Sequence, residues 1–116
     1  MRMWMVNPKY MCRKHLLSTH VETHMFISHL KKKRQINGFI EKNCLEPSSI
    51  QSWHDSVADE MIQRSYNHRT PLIFEQLFLQ HLPSTVRVFV VNSFASLLDL
   101  LCRCESCSKR YIETHK

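Results

Sequence analysis

The spacing of apolar and polar positions follows the period of an α-helix in three stretches of the chain, which predicts an all-α fold. The stretches cover about residues 11–33, 49–65 and 86–104. Because the apolar spacing is helical and glycine occurs only once, a β-sandwich or β-barrel is disfavoured. A chain of 116 residues is long enough for one hydrophobic core. We therefore expect one compact domain of three helices that spans residues 1–116.

The first predicted helix carries a polar stripe. His15, Glu22 and His29 recur at intervals of seven and share one face, since each step drifts by only about 20°. A carboxylate held on a rigid helix beside histidine and the basic residues Arg13 and Lys14 is an arrangement that can serve catalysis. Periodicity alone leaves a merely solvated Glu22 as the alternative. The residues predicted to face the core are Leu16, Leu17, Val21, Met25, Ile27 and Ser28.

The second stretch begins with a helix-capping pattern. Ser48, followed three residues later by Gln51, has the form of a capping box. Apolar residues then recur at helical spacing, at Ile50, Trp53, Val57 and Met61. This pattern predicts a helix over about residues 49–65, and Pro71 prevents its easy continuation.

The remaining segments are predicted to connect the helices. Residues 1–8 form an extended arm, 38–47 a loop, and 72–82 a loop with room for a short helical turn. The β-branched start of the third stretch leaves a strand over about 86–91 as the alternative interpretation. As a helix, that stretch has a broad apolar face suited to packing between the other helices, formed by Val90, Phe94, Leu97, Leu98 and Leu101.

The charge of the chain indicates a polyanionic partner. The formal net charge is +6, and eight histidines add positive charge below neutral pH. Four cations, Lys31, Lys32, Lys33 and Arg34, close the first predicted helix, where they also complement its dipole. Nucleic acid is the favoured partner, and a membrane surface or an acidic protein is the alternative.

The same sequence predicts an intracellular protein. No stretch resembles a signal peptide, and no run reaches the roughly 20 apolar residues needed to cross a bilayer. Five cysteines without an export signal indicate reduced thiols. We expect a cytoplasmic monomer associated with nucleoid or viral DNA.

The spacing of two histidines in the first helix resembles that of a metalloprotease motif. His20 and His24 are four residues apart with Glu22 between them, but on a helix Glu22 points about 200° away from each of them. A metalloprotease motif is therefore excluded, although a metal held by both histidines with ligands from elsewhere remains an alternative. With a single glycine the chain has no glycine-rich phosphate loop, and it has no G-x-S-x-G elbow.

Three cysteines, Cys102, Cys104 and Cys107, form a C-x-C-x-x-C cluster near the end of the third stretch. Such a cluster can supply three zinc ligands. Candidates for a fourth ligand are Cys12, Cys44 and His115. A structural zinc site usually shows two well-separated pairs, so we favour thiols without a ligand role and expect no metal and no cofactor.

Two blocks of sequence resemble the pyrimidine-dimer DNA glycosylase family, known from phage endonuclease V: MRMWMVNPKYMCRKHLLSTHVETH and DEMIQRSYNHRTPL. The likeness runs from residue 1 to about Leu72, and LLDLLCRCESCSKR is more loosely similar. The resemblance implies a three-helix domain in which the N-terminal arm passes between helices and brings the α-amine to the active site. It also implies cleavage of the glycosidic bond of the 5′ pyrimidine in a cyclobutane dimer of duplex DNA. Backbone cleavage at the resulting abasic site then follows by β-elimination.

Carried over by position, the resemblance places the family's catalytic glutamate on Glu22, its helix-one histidine on His15 and its nucleophile on the α-amine of Met1. Attack of that amine on C1′ gives an imine whose iminium form is the electron sink for elimination. Arg2 and Arg13 are expected to hold phosphates beside the lesion. With the basic run, the candidate DNA-binding residues are Arg2, Arg13, Lys14, His15, Lys31, Lys32, Lys33 and Arg34.

The chain departs from the phage enzyme at several positions. Arg2 is too bulky for ordinary removal of the initiator methionine, so Met1 itself must carry the amine. Val21 and Met25 stand where the phage enzyme has arginines that grip the backbone. The alternatives to a glycosylase with lyase activity are a non-catalytic nucleic-acid-binding module, a lyase that cuts only existing abasic sites, and a zinc-binding interaction protein.

Overall fold

The computed structural model describes residues 1–68 and 70–116, and within them the fold is all-helical, without strands. The α-helices are α1 (Arg13–Lys31), α2 (Asn37–Glu41), α3 (Ile50–Gln63), α4 (Ser84–Arg87), α5 (Ser93–Arg103) and α6 (Glu105–Thr114). Short 3-10 turns occur at Pro8–Tyr10, Pro47–Ser49 and Gln76–Leu79. The all-α prediction is confirmed, although the described residues hold six α-helices where three were expected. No helix among them is long and apolar enough to cross a membrane.

Helix α1 packs against α3, but only part of the predicted face is buried. Val21 is 55% exposed and Met25 is 43% exposed, so their assignment to the core is wrong, whereas Leu16 and Ile27 are buried as expected. The pattern failed because polar residues share the buried stripe: the Thr23 hydroxyl, for example, donates to the His20 carbonyl at 2.6 Å. The buried residues of α1 are Leu16, Thr19, His20, Thr23, Phe26, Ile27 and Leu30.

Helix α3 occupies the second predicted stretch to within two residues at each end. The predicted capping box at Ser48 is wrong: Ser49 is the N-cap residue, its side chain accepts no N–H from the helix, and its hydroxyl donates to Glu46. A 3-10 turn at Pro47–Ser49 leads into the helix, and proline at its first position supplies the start that the capping box was expected to give. The short α2 begins one residue before the predicted loop over 38–47 and makes its first four residues helical, so that part of the loop prediction is wrong. The turn at Gln76–Leu79 confirms the short helical turn predicted in 72–82.

The N-terminal segment is non-helical over residues 1–7 and is packed into the protein. Met3 is fully buried, and its backbone N–H donates to the Cys44 carbonyl at 2.7 Å. Trp4 and Met11 are buried as well. These contacts hold the segment between α1 and the loop that follows α2. They thereby fix the position of Met1 and Arg2, which precede the buried Met3.

The third predicted helix is divided. Residues 88–92 are non-helical, and no strand forms there or elsewhere in the described chain. The Asn92 side chain accepts from the Ala95 N–H at 3.0 Å, which caps α5 and explains where that helix begins. Phe94 is 71% exposed and Val90 is 68% exposed, so the predicted apolar face does not pack between helices. Helix α5 instead buries Ser96 and Leu100.

A further helix, α6, follows in a part of the chain for which no element was predicted. Cys104 ends α5, and its sulfur accepts from the Cys107 N–H at 3.4 Å, so one residue caps the new helix. Helix α6 packs against the turn at Pro8–Tyr10, where Arg110 Nε donates to the Lys9 carbonyl at 3.0 Å. The C-terminal helices therefore close over the N-terminal segment.

Candidate active site

A cleft of about 630 Å³ opens between the N-terminal segment, α1, the loop after α2, and α5. Its lining residues are Met1, Arg2, Trp4, His15, Ser18, Glu22, Lys42, Cys44, Asp99 and Arg103. A volume of this size is within the range of small-molecule and substrate pockets. The cleft brings together Met1, Arg2, His15 and Glu22, four of the residues selected from the sequence.

Glu22 meets the N-terminal segment directly. Its Oε2 accepts from the Arg2 backbone N–H at 3.2 Å. The α-amine of Met1 is three covalent bonds from that amide nitrogen, and Met1 lines the same cleft. The arrangement places a half-buried carboxylate and a primary amine in one concave site, which is the combination that acid–base assisted attack by an amine requires.

The Arg2 side chain fastens this segment to α5. Its guanidinium forms an ion pair with Asp99 and lies over the Trp4 ring, 3.8 Å from the ring centroid. Its Nη2 also donates to the Ser96 hydroxyl at 3.4 Å. The hydrogen bond from Arg2 holds the pKa of Asp99 below its usual range. Arg103 donates to the other oxygen of Asp99 at 2.7 Å, so this carboxylate joins two of the cations at the cleft.

His15 lies between the cleft and a group of cysteines. Its Nδ1 is 3.3 Å from Cys12 Sγ and 3.6 Å from Cys107 Sγ, and Cys12 Sγ is 3.8 Å from Cys104 Sγ. Burial lowers the pKa of His15, with a further contribution from Lys14, so its neutral form prevails at pH 7. Sequence reasoning proposed Cys12 as one possible partner of the C-terminal cysteines but did not place His15 with them.

A second group of histidines forms where α1 faces α3. His20 Nε2 lies 2.9 Å from His68 Nε2, and the rings of His24 and His54 are 5.1 and 5.0 Å from the ring of His20. His54 Nδ1 is paired with Asp55 at 2.9 Å. The pairing of His20 with His24 was visible in the sequence. Their contact with His54 and His68 was not, because it depends on how two separate elements pack.

We expect the histidine group to make the protein less stable in acid. Burial, with smaller effects of the neighbouring histidines, lowers the pKa of His20 to about 4, well below its usual value of about 6.5. The unfolded chain therefore binds a proton between these pH values while folded His20 does not, and stability falls as the pH falls. From pH 7.5 to 5 the loss is about 2 kcal/mol in the free energy of unfolding.

Urea unfolding of the wild type and of His20→Gln at pH 7.5 and pH 5 measures this effect. His81→Gln, at an exposed position, serves as the control and should follow the wild type. A smaller acid-induced loss in His20→Gln than in the other two proteins is the expected result. Equal losses in all three proteins would remove His20 as the cause.

The remaining basic candidates lie outside the cleft. Arg13 and Lys14 are exposed at the start of α1, and the Arg13 guanidinium is 4.5 Å from the centroid of the Tyr66 ring. All four members of the run Lys31, Lys32, Lys33 and Arg34 are exposed at the other end of α1. Lys31 is nine residues from Glu22, which is about 14 Å along the helix axis.

The cleft also holds residues that were not selected from the sequence, and two of them pair with each other. Asp99 and Arg103 are on α5, four residues apart, and Asp99 is 97 residues from Arg2 along the chain. Their spacing is typical of a solvated helical ion pair, so the sequence carries no signal that they face the N-terminal segment.

The fold and the cleft define an all-helical protein in which a carboxylate on the first long helix contacts the N-terminal segment. The family model described as pyrimidine dimer DNA glycosylase matches residues 1–74, and the chain therefore belongs to that family. No match to the chain was found among curated proteins or among solved structures. The matched part holds the N-terminal segment, α1, α2 and α3, while α5, which supplies Asp99 and Arg103, lies beyond it. Membership of the family implies that the substrate is DNA.

Proposed function

We propose that the protein is a DNA N-glycosylase with abasic-site lyase activity that acts on cyclobutane pyrimidine dimers. The α-amine of Met1 is the nucleophile, and Glu22 is the catalytic acid and base. The observation that carries this proposal is the 3.2 Å hydrogen bond from the Arg2 N–H to Glu22 Oε2 in a cleft that Met1 also lines. Family membership supports the substrate class.

The proposed reaction begins at C1′ of the 5′ nucleotide of the dimer. The neutral amine attacks C1′, the glycosidic bond breaks, and the base departs with the electron pair and takes up a proton. Opening of the sugar ring then gives an imine between the amine and C1′. An α-amine loses its proton more readily than a lysine side chain, so it can act near neutral pH. Glu22 stabilises the positive charge that develops at the sugar and transfers the proton for ring opening.

Strand cleavage follows from the same intermediate. The iminium makes the C2′ proton acidic, a base removes it, and the electron pair expels the 3′ phosphate by β-elimination. Water then hydrolyses the imine and restores the free amine. In each step we assign to Glu22 the transfer of a proton between atoms close to the nucleophile.

The target nucleotide must leave the base stack to reach the amine, because C1′ is inaccessible in a stacked duplex. We assign phosphate contacts to Arg13 and Lys14 at the start of α1 and to the basic run at its end, with His15 at the cleft. Arg2 is engaged with Asp99, so we assign it chiefly to holding the nucleophile-bearing segment, with a phosphate as its second partner.

The proposal is tested on three matched duplexes that carry one cyclobutane dimer, one abasic site or no lesion. We expect cleavage of the first two and none of the third. Binding without cleavage would favour a nucleic-acid-binding module. Cleavage of the abasic duplex alone would favour a lyase that lacks the glycosylase step.

We expect the basic run to contribute to DNA affinity. Replacing Lys32 and Lys33 with Gln should weaken binding to duplex DNA, and the slope of log K against log salt should fall by about 0.9 for each phosphate that the protein no longer neutralises. The control replaces Lys109 and Lys116, which are exposed on and after α6, and removes the same charge. Titrations at several salt concentrations measure both slopes. Equal slopes for the two variants would mean that the run is only a solvated helix end.

A further inference from the structure

We propose that Cys12, His15, Cys104 and Cys107 bind one Zn²⁺ ion as a four-coordinate structural site. Their ligand atoms all lie within 4.8 Å of one another. His15 Nδ1 lies 3.3 Å from Cys12 Sγ and 3.6 Å from Cys107 Sγ. Three thiolates and one imidazole nitrogen form one of the usual ligand sets of structural zinc.

Three of the six separations are close to those around a tetrahedral ion, and all six are within 4.8 Å. With Zn–S bonds of about 2.3 Å and Zn–N bonds of about 2.0 Å, tetrahedral geometry requires about 3.8 Å between two sulfurs and about 3.5 Å between sulfur and nitrogen. The Cys12 and Cys104 sulfurs are 3.8 Å apart, and the two sulfur–nitrogen distances lie on either side of the required value. A disulfide would need sulfurs about 2.05 Å apart, and these cysteines are free thiols.

The ligands come from two pairs with the spacing that zinc sites commonly use. Cys12 and His15 are separated by two residues, as are Cys104 and Cys107. Each pair lies at the beginning of a helix, α1 or α6, where the first cysteine accepts a backbone N–H from the second member. A third N–H, from Cys12, donates to Cys107 Sγ at 3.2 Å. Such bonds stabilise the negative charge of thiolate ligands.

The histidine group does not offer the same geometry. His20 Nε2 and His68 Nε2 are 2.9 Å apart, whereas two nitrogens on one tetrahedral zinc ion are about 3.3 Å apart. A distance of 2.9 Å suits a direct hydrogen bond between a protonated and an unprotonated nitrogen. Cys102, which belongs to the C-terminal cluster in the sequence, is exposed and contributes no atom to the group of four.

Binding releases up to three protons, since the three thiols become thiolates while the histidine coordinates in its neutral form. The ion joins the start of α1 to the junction of α5 and α6, which are 92 residues apart along the chain. It thereby holds α5, and with it Asp99, against the N-terminal segment. With all four positions filled by protein, the ion has no open position for substrate, so its role is structural. Because Nδ1 is the ligand atom, His15 Nε2 keeps its proton and can donate a hydrogen bond at the cleft.

The site is tested by metal content and by cobalt substitution in the full chain. After purification with reductant, the wild type should contain one zinc per chain that depends on these cysteines. Reduced metal-free protein titrated with Co²⁺ should develop thiolate-to-cobalt charge-transfer bands and the strong visible bands of a tetrahedral site. Cys107→Ser should lose the bound zinc and these bands. Cys102→Ser, an identical change at an exposed cysteine two residues from a ligand, should keep both.

Loss of metal in Cys107→Ser could also result from misfolding, so a second variant replaces one zinc ligand with another. His15→Cys should still bind Co²⁺, with its visible bands shifted toward those of a four-thiolate site. The proposal is overturned if the reduced wild type binds no stoichiometric zinc and gives no cobalt–thiolate bands. It is also overturned if Cys102→Ser loses as much metal as Cys107→Ser, or if His15→Cys leaves the cobalt spectrum unchanged.

Discussion

Glu22→Gln is expected to slow base release and strand cleavage by orders of magnitude while the protein still folds and binds DNA. Glutamine keeps the size of the side chain and its carbonyl oxygen can still accept from the Arg2 N–H, so the cleft should be preserved. The variant loses the charge that stabilises the sugar cation and the group that moves protons. General acid–base catalysis of this kind contributes about 10²–10⁴-fold, and we expect a loss of that size in the single-turnover rate.

The measurement is single-turnover cleavage of dimer-containing and abasic duplexes, with DNA affinity and circular dichroism followed in parallel. Glu113→Gln is the matched control, because this residue is exposed on α6 and away from the cleft. Wild-type rates in the control with a large loss in Glu22→Gln are expected. Rates within a few-fold of wild type in Glu22→Gln would remove Glu22 from catalysis.

One extra residue before Met1 is expected to reduce activity by at least about 10²-fold. The added residue displaces the terminal amine by about 3.5 Å, and a misplacement of about 1 Å already costs that much. The segment cannot slide to compensate, because Met3 is buried and bonded to the Cys44 carbonyl and Arg2 is paired with Asp99. Single-turnover cleavage of the same two duplexes measures the effect.

The control is a cleavable N-terminal extension whose removal restores Met1, as verified by mass spectrometry. Activity should return with the free amine. Full activity in the extended protein would direct attention to Lys42, the lysine that lines the cleft. Lys9 and Lys14, the lysines near the first predicted helix, do not line it.

The sequence predicted the helices correctly where the apolar residues of a helix are also its buried residues. Helix α3 has a regular apolar stripe that is also its buried side, and its bounds were predicted to within two residues. In α1 the buried side includes Thr19, His20 and Thr23, which a hydrophobic pattern counts as solvent-facing. Helix α6 was missed because its start depends on a cysteine cap and on packing against a distant 3-10 turn, neither of which leaves a periodic signal.

The sequence predicted those residues of the candidate site that match the family's motifs or lie close together along the chain. Resemblance selected Met1, Arg2, His15 and Glu22, and the structure brings them to one cleft. Asp99 lies 97 residues from Arg2, and no local pattern connects them. The group of four was visible in part: Cys12, Cys104 and Cys107 were candidate ligands from the sequence, whereas His15 was not, because only the packing of the start of α1 against α6 brings it to them.

Borohydride trapping with mapping of the adduct tests the central proposal most directly. Reduction during reaction with a dimer-containing duplex should convert the imine to a stable amine that links protein to DNA. Peptide mapping should place the link on the α-amine of residue 1, and the extended protein should form no adduct. A link at Lys42 or another lysine, or no adduct on either dimer or abasic DNA from a protein with a free Met1, would contradict the proposed chemistry.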